Sequence, residues 1–170
     1  MNGIEIKIAT RENANEIAEL GKVAFRHFFE NENNRTELLE YLNTAFSREH
    51  ILTEFEALNN VFLLAVKDNQ LQGFARLWED KNHYAPDDSL KMERLYIWPE
   101  LVGSGLGALL MQSSIDFTAQ NKYVNLWLQV LRPNERAVSF YRKWGFEYFH
   151  ESPGKFEGDN EIDYWMKRSV

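Results

Sequence analysis

The chain has 170 residues, 44% of them apolar, 14% aromatic and 26% charged, which is the length and composition of one domain that buries a core rather than of a disordered segment. It contains no cysteine, which excludes disulfide staples, thiolate zinc sites and a cysteine nucleophile and makes a reducing, cytoplasmic setting the expectation. The net charge of −7 argues against a nucleic-acid surface and favours a cationic partner, although an acidic balance also serves solubility alone.

Residues 1–10 alternate Ile4, Ile6 and Ile8 with polar residues, a strand pattern and not the basic stretch and apolar block of a signal peptide. Thr10 is placed to cap a helix with apolar positions Ile17, Leu20, Val23, Ala24 and Phe28. After a polar stretch from Glu30 to Arg35, Leu38, Leu39, Leu42 and Phe46 mark a second helix, and Ser47 opens a third through Ile51, Phe55 and Leu58. The apolar run Val61–Val66, the tight turn Lys67–Gln70 and the strand-type residues Leu71–Trp78 predict a β-hairpin. A polar loop, Asp80–Asp88, leads to an extended segment from Leu90 to Trp98 that Pro99 ends.

A turn with Gly103, Gly105 and Gly107 then runs straight into a helix reaching about Gln120. Val124–Leu131 is a further strand, Asn134 caps a helix that Gly145 stops in a left-handed conformation, and Phe146–His150 and Ile162–Met166 are two closing strands. No apolar run approaches the ~20 residues that span a bilayer, so no membrane partner is expected. No linker or repeat divides the chain, and residues 1–170 are read as a single domain.

Two segments are chemically suggestive. Val102, Gly103, Ser104, Gly105, Leu106 and Gly107 lie between a strand and a helix, where backbone N–H groups and the helix dipole converge on a point suited to phosphate. A P-loop is excluded because no Lys follows the glycines, and a dinucleotide fold is disfavoured because its turn follows the first strand of a parallel series. A glycine turn that only permits close packing stays open. The second segment is Asn134-Glu135-Arg136-Ala137-Val138-Ser139-Phe140-Tyr141-Arg142-Lys143-Trp144-Gly145-Phe146, a capped helix ending in an aromatic residue and glycine.

Together with Leu95-Tyr96-Ile97-Trp98-Pro99 and the glycine turn, this segment resembles the acyl-CoA signatures of the GNAT superfamily of N-acyltransferases, and the order of elements agrees along nearly the whole chain. Within that superfamily, the Leu39–Phe46 helix and the strand Met92-Glu93-Arg94-Leu95-Tyr96-Ile97 are most similar to bacterial spermidine/spermine N-acetyltransferases. The resemblance implies an α/β fold with a mixed central sheet of about six or seven strands flanked by helices. It implies acetyl-CoA as co-substrate, no metal, and direct attack of a primary amine, with polyamines as the narrower expectation.

Residue by residue, it implies that Leu95, Tyr96 and Ile97 pair with the pantetheine arm, that Val102 to Gly107 cradle the pyrophosphate, and that Asn134 holds the arm. Tyr141 is then the general acid at the sulfur, against the alternative of an aromatic core position, and Glu93 is the candidate base, against the alternative of an ion pair with Arg94 or a neighbour. Acceptor contacts fall to the first two helices and their loop, with Phe28, Phe29, Glu30, Glu32, Glu37 and Tyr41 named, against the alternative of a solvated face. The family's turn usually begins with a basic or amide residue where this chain has Glu100 and Val102, which leaves two readings: a weaker hold on the cofactor, or a charge supplied instead by Arg136, Arg142 or Lys143. His27, His50, His83 and His150 lack ligand spacing and receive no role. A non-catalytic acyl-CoA sensor and an acetyltransferase for protein N-termini, amino acids or aminoglycosides remain as alternatives, with a homodimer left open.

Overall fold

Asp68 and Asn69, at φ of 50° and 60°, make the two-residue turn that joins β2 (Val61–Lys67) to β3 (Gln70–Trp78). Both central residues adopt a left-handed conformation, as a hairpin turn of matching twist requires, and Asp and Asn tolerate it better than other non-glycine residues. The hairpin belongs to a computed structural model that describes residues 3–28, 36–154 and 162–170. Among the described residues, seven strands are ordered β1-β2-β3-β4-β5-β7-β6, with β1 spanning Ile4–Ile8, β4 Ser89–Ile97, β5 Asn125–Leu131, β6 Glu147–Pro153 and β7 Ile162–Ser169. The sheet is mixed: β4 pairs with β5 in parallel, whereas β1 with β2, β2 with β3, β5 with β7 and β6 with β7 are antiparallel. The helices are α1 (Ala14–Phe28), α2 (Thr36–Ala45), α3 (Arg48–Glu54), α4 (Leu106–Gln120) and α5 (Glu135–Lys143). Among the described residues, no helix is long and apolar enough to cross a membrane.

The contacts divide the chain into two compact units, Met1–Trp78 with Arg94–Ser114, and Glu79–Glu93 with Ile115–Val170. In the first, Ala14, Ile17, Ala18 and Leu20 of α1 and Ile51 of α3 bury against Phe62 and Leu64 of β2 and Leu71 and Phe74 of β3. The buried stripe of α1 continues to Phe25, while Val23 and Phe28 are 41% and 45% exposed. The stripe read from the sequence is therefore rotated at its end, where the buried aromatic is Phe25, packed against Tyr41 and Phe46. Ser47 does cap α3, its hydroxyl accepting from the His50 amide at 3.1 Å, but the helix ends at Glu54 and Leu58 is exposed.

In the second unit, β5 runs between Ser89–Lys91 of β4 and Asp163–Ser169 of β7. Alternation along β5 sends Leu126, Leu128 and Val130 to one face and Trp127 to the other. Trp127 there stacks on Trp165 with centroids 5.1 Å apart, and Phe149 meets both rings edge-on. The loop before β4 is fixed by its own side chains: Asp80 Oδ1 accepts from the Asn82 amide and Asn82 Oδ1 from the Tyr84 amide. That conformation lays Tyr84 flat on His150, with centroids 4.2 Å apart, and edge-on to Trp165.

Candidate active site

In the first unit β4 leads through a short helical turn, Pro99–Leu101, into the glycine segment. Gly103 and Gly105 have φ of 88° and 89°, a region that costs a residue with a Cβ, and a Cβ built on Gly103 would meet nothing within 4 Å. Gly103 is therefore required by the bend of the chain and not by crowding. The turn opens onto the N-terminus of the 15-residue α4, whose first amides have no carbonyl inside the helix to bond. Ser104 Oγ accepts from the Leu106 amide at 3.3 Å, and Val102, Gly103 and Ser104 are exposed. An exposed glycine bend facing a helix N-terminus fits a pyrophosphate, because a phosphate oxygen can approach the main chain and the dipole favours its charge. Glu100 is exposed in the turn before it.

Leu95, Tyr96 and Ile97 form the last residues of β4, beside β3. Tyr96 lies within an aromatic group, edge-on to Phe74 and 6.0 Å from Phe46, and Phe46 in turn lies 6.1 Å from Tyr41. Tyr41 and Tyr96, named for different purposes, thus converge on one wall. Arg94 is buried behind it, over the Phe46 ring, and its Nη1 donates to Glu54 Oε2 at 2.6 Å. Burial alone would lower the proton affinity of Arg94, but the charge and hydrogen bond of Glu54 outweigh it and the pKa is raised. Phe28 stands exposed at the end of α1. Phe29, Glu30 and Glu32 lie outside the described residues, as does the side chain of Glu37.

In the second unit, Asn134 Oδ1 accepts from the Ala137 amide at 3.1 Å and so caps α5. At the other end the Gly145 amide bonds to Arg142 O and the Phe146 amide to Tyr141 O, with Gly145 at φ 80°. This pair of bonds is a Schellman stop and accounts for the glycine. Tyr141 packs between Phe140 and Phe146, and burial pushes its phenol up to about 12. Lys143 is placed at the far end of α5 from Asn134, about 14 Å along the axis. There it borders a 560 Å³ cavity with Trp144, Gly145, Glu147, Lys167, Arg168 and Ser169.

Glu93, on β4, accepts from Lys91 Nζ at 2.9 Å. The ion pair expected of it therefore forms with a neighbour two residues back, because alternation puts Lys91 and Glu93 on one face and Arg94 on the other. Among the described residues, no group of three or more His, Asp or Glu side chains is arranged to hold a metal.

Residues 22–146 match the model of the acetyltransferase (GNAT) family. This chain belongs to the GNAT family. It is an acetyl-CoA-dependent acetyltransferase by that membership. It is 22% identical to an uncharacterised N-acetyltransferase of Lactobacillus delbrueckii subsp. lactis, over all of this chain and 99% of that protein. It is 28% identical to streptothricin acetyltransferase of Streptomyces lavendulae, over 61% of this chain and 52% of that protein. The GNAT fold superposes on the PaiA N-acetyltransferase of Thermoplasma acidophilum in complex with coenzyme A with a TM-score of 0.79 at 22% identity, covering 99% of each chain.

Sequence reasoning missed Lys91, Asp80 and Glu54. Lys91 and Glu93 carried a legible signal, opposite charges at a two-residue spacing in a strand, whereas Glu54 lies 40 residues from Arg94 and left no local trace.

Proposed function

We propose that residues 1–170 act as one domain that transfers the acetyl group of acetyl-CoA directly to a primary amine, and that the amine is a small polycation such as spermidine or spermine. The observation that carries the reading is the exposed bend at Gly103 and Gly105 opening onto the N-terminus of α4 directly after β4. Acetyl-CoA supplies an activated thioester. Val102 to Gly107 hold its pyrophosphate through main-chain amides, and Leu95, Tyr96 and Ile97 bond its pantetheine arm as an added strand would. Asn134 spends its carbonyl oxygen on the helix cap and keeps its amide N–H donors for the arm. Lys143 contributes positive charge in place of the missing basic residue of the turn.

The amine arrives mostly as an ammonium, which has no lone pair. Glu93 accepts its proton, the nitrogen attacks the thioester carbonyl carbon, the C–N bond forms, the C–S bond breaks with its electron pair going to the sulfur, and the second proton, shed as the nitrogen becomes an amide, ends on the departing thiolate. Tyr141 donates to that sulfur. With its pKa raised to about 12, against ~8.5 for an ordinary thiol, the phenol stays protonated and stabilises the departing sulfur mainly as a hydrogen-bond donor. Phe28, Glu30 and Tyr41 contact the acceptor, an aromatic and acidic surface suited to a polycation. Similarity to streptothricin acetyltransferase supports a second reading, in which the acceptor is an amine of an antibiotic of that kind.

The test is thiol release from acetyl-CoA with spermidine, spermine, lysine, an aminoglycoside, streptothricin and a peptide N-terminus, against a no-amine control. Release fastest with the polyamines supports the first reading, and release only with streptothricin or the aminoglycoside supports the second. Tight acetyl-CoA binding in calorimetry with no release from any amine would instead make the chain an acyl-CoA sensor.

A further inference from the structure

Lys91 is the most enclosed ammonium of the second unit's sheet, with a tenth of its side chain exposed. Its Nζ is 2.9 Å from Glu93 Oε2, 3.5 Å from Asp80 Oδ2 and 5.1 Å from the centroid of the Trp127 ring. The parallel register pairs Lys91 with Trp127, so the strand itself presents the ammonium to the indole face. Asp80 has a second duty, since its other oxygen accepts from the Asn82 amide in the loop that carries Tyr84. One buried cation therefore links a partly exposed carboxylate, 31% accessible, to a loop carboxylate that is 14% accessible.

We propose that Lys91 is a positioning residue for the transfer, holding the Glu93 carboxylate ionised and aimed while Asp80 competes for the same ammonium. The inference rests on the reading of Glu93 as the base. A base that must take a proton from an ammonium has to be ionised when the acceptor arrives, and an ammonium in contact favours that form. Among the charged groups that face Glu93 are Lys91 on its own strand and, through Lys91, Asp80 from the connection between β3 and β4. The indole beneath Lys91 is uncharged and confines the ammonium instead of neutralising it.

The two flanking residues act in opposite directions. Replacing Lys91 removes the positive charge beside Glu93, so the carboxylate holds its proton to higher pH. Replacing Asp80 frees Lys91 for Glu93 and removes a competing negative charge, so the carboxylate releases its proton at lower pH. A residue that merely supported the fold would not produce opposed shifts.

The test is the 13C NMR titration of glutamate side-chain carboxyls, with the Glu93 resonance identified by its loss in Glu93→Gln. The titration midpoint of Glu93 is expected to rise by about one unit in Lys91→Met, to return toward the starting value in Lys91→Arg, and to fall in Asp80→Asn. An unmoved midpoint in Lys91→Met overturns the proposal. Should Lys91→Met fail to fold, Asp80→Asn decides, and an unmoved or raised midpoint there overturns it equally. The base reading is judged separately: if Glu93→Gln keeps full acetyl transfer with the best amine of the panel, Glu93 is not the base, whatever its titration.

Discussion

A side chain on Gly73 has no room against Tyr96: a Cβ built there would lie 2.8 Å from the Tyr96 carbonyl oxygen and 2.6 Å from Cγ2 of Ile97. Gly73 thus lets β3 approach the last residues of β4 closely, at the strand end proposed to receive the pantetheine arm.

Gly73→Ala is expected to displace Tyr96 and Ile97, since a backbone oxygen cannot swing aside as a flexible side chain does. The stability cost should be about 1–3 kcal/mol, as for overpacking elsewhere in cores. Acetyl-CoA affinity should fall about tenfold, which is about 1.4 kcal/mol. Urea unfolding and calorimetry read the two effects separately, and unchanged affinity would remove Tyr96 and Ile97 from the cofactor site.

Glu54 joins two strands at once, its carboxylate accepting from Arg76 at 3.0 Å and from Arg94 at 2.6 Å, with all three side chains no more than 7% exposed. Glu54→Gln withdraws a shared negative charge from two buried guanidinium groups, a change of the kind that costs about 3–5 kcal/mol. Equilibrium unfolding in urea is expected to show a loss in that range, and a change below about 1 kcal/mol would mean that the pair is solvated in solution.

The same ion pair marks the boundary of what the sequence disclosed. Local patterns were readable because their physics is local: alternation marked β1, a continuous apolar run and a tight turn marked the β2–β3 hairpin, and Asn134 and Gly145 marked both ends of α5. The glycine turn was readable for the same reason, since Gly103 and Gly105 serve a backbone conformation. Glu54 with Arg94, Tyr84 on His150 and Phe25 against Tyr41 and Phe46 depend on which segments meet. Nothing within a few residues encodes that choice.

The helix-cap duty of Asn134 is separable from its proposed hold on the pantetheine arm. In Asn134→Asp the side chain still accepts from the Ala137 amide, so the cap survives, but the amide donors are gone and a negative charge replaces them. Stability should change by less than about 0.5 kcal/mol while acetyl-CoA binding weakens at least tenfold. Asn134→Ala should lose about 1 kcal/mol of stability as well. If the Asp variant binds acetyl-CoA normally, Asn134 is a helix cap and nothing more.

Tyr141 makes the sharpest pH statement, because its burial separates the folded value of about 12 from the ordinary value of 10. Above pH 10 the unfolded chain gives up the phenolic proton first, so the folded state becomes less stable as pH rises toward 12, and below 10 the group has no effect. Between about pH 9 and about pH 11 the loss should be about 1 kcal/mol more in the native chain than in Tyr141→Phe. For catalysis the consequence is the reverse of a titrating acid: Tyr141 remains a donor throughout the neutral and mildly alkaline range. Tyr141→Phe should therefore lower kcat by about a hundredfold, with little change in KM for acetyl-CoA and no change in the position of any alkaline limb below about pH 10. A limb in that range that disappears with the hydroxyl would show the phenol titrating near its ordinary value, and the donor role would then have to be recast as full proton transfer to the sulfur.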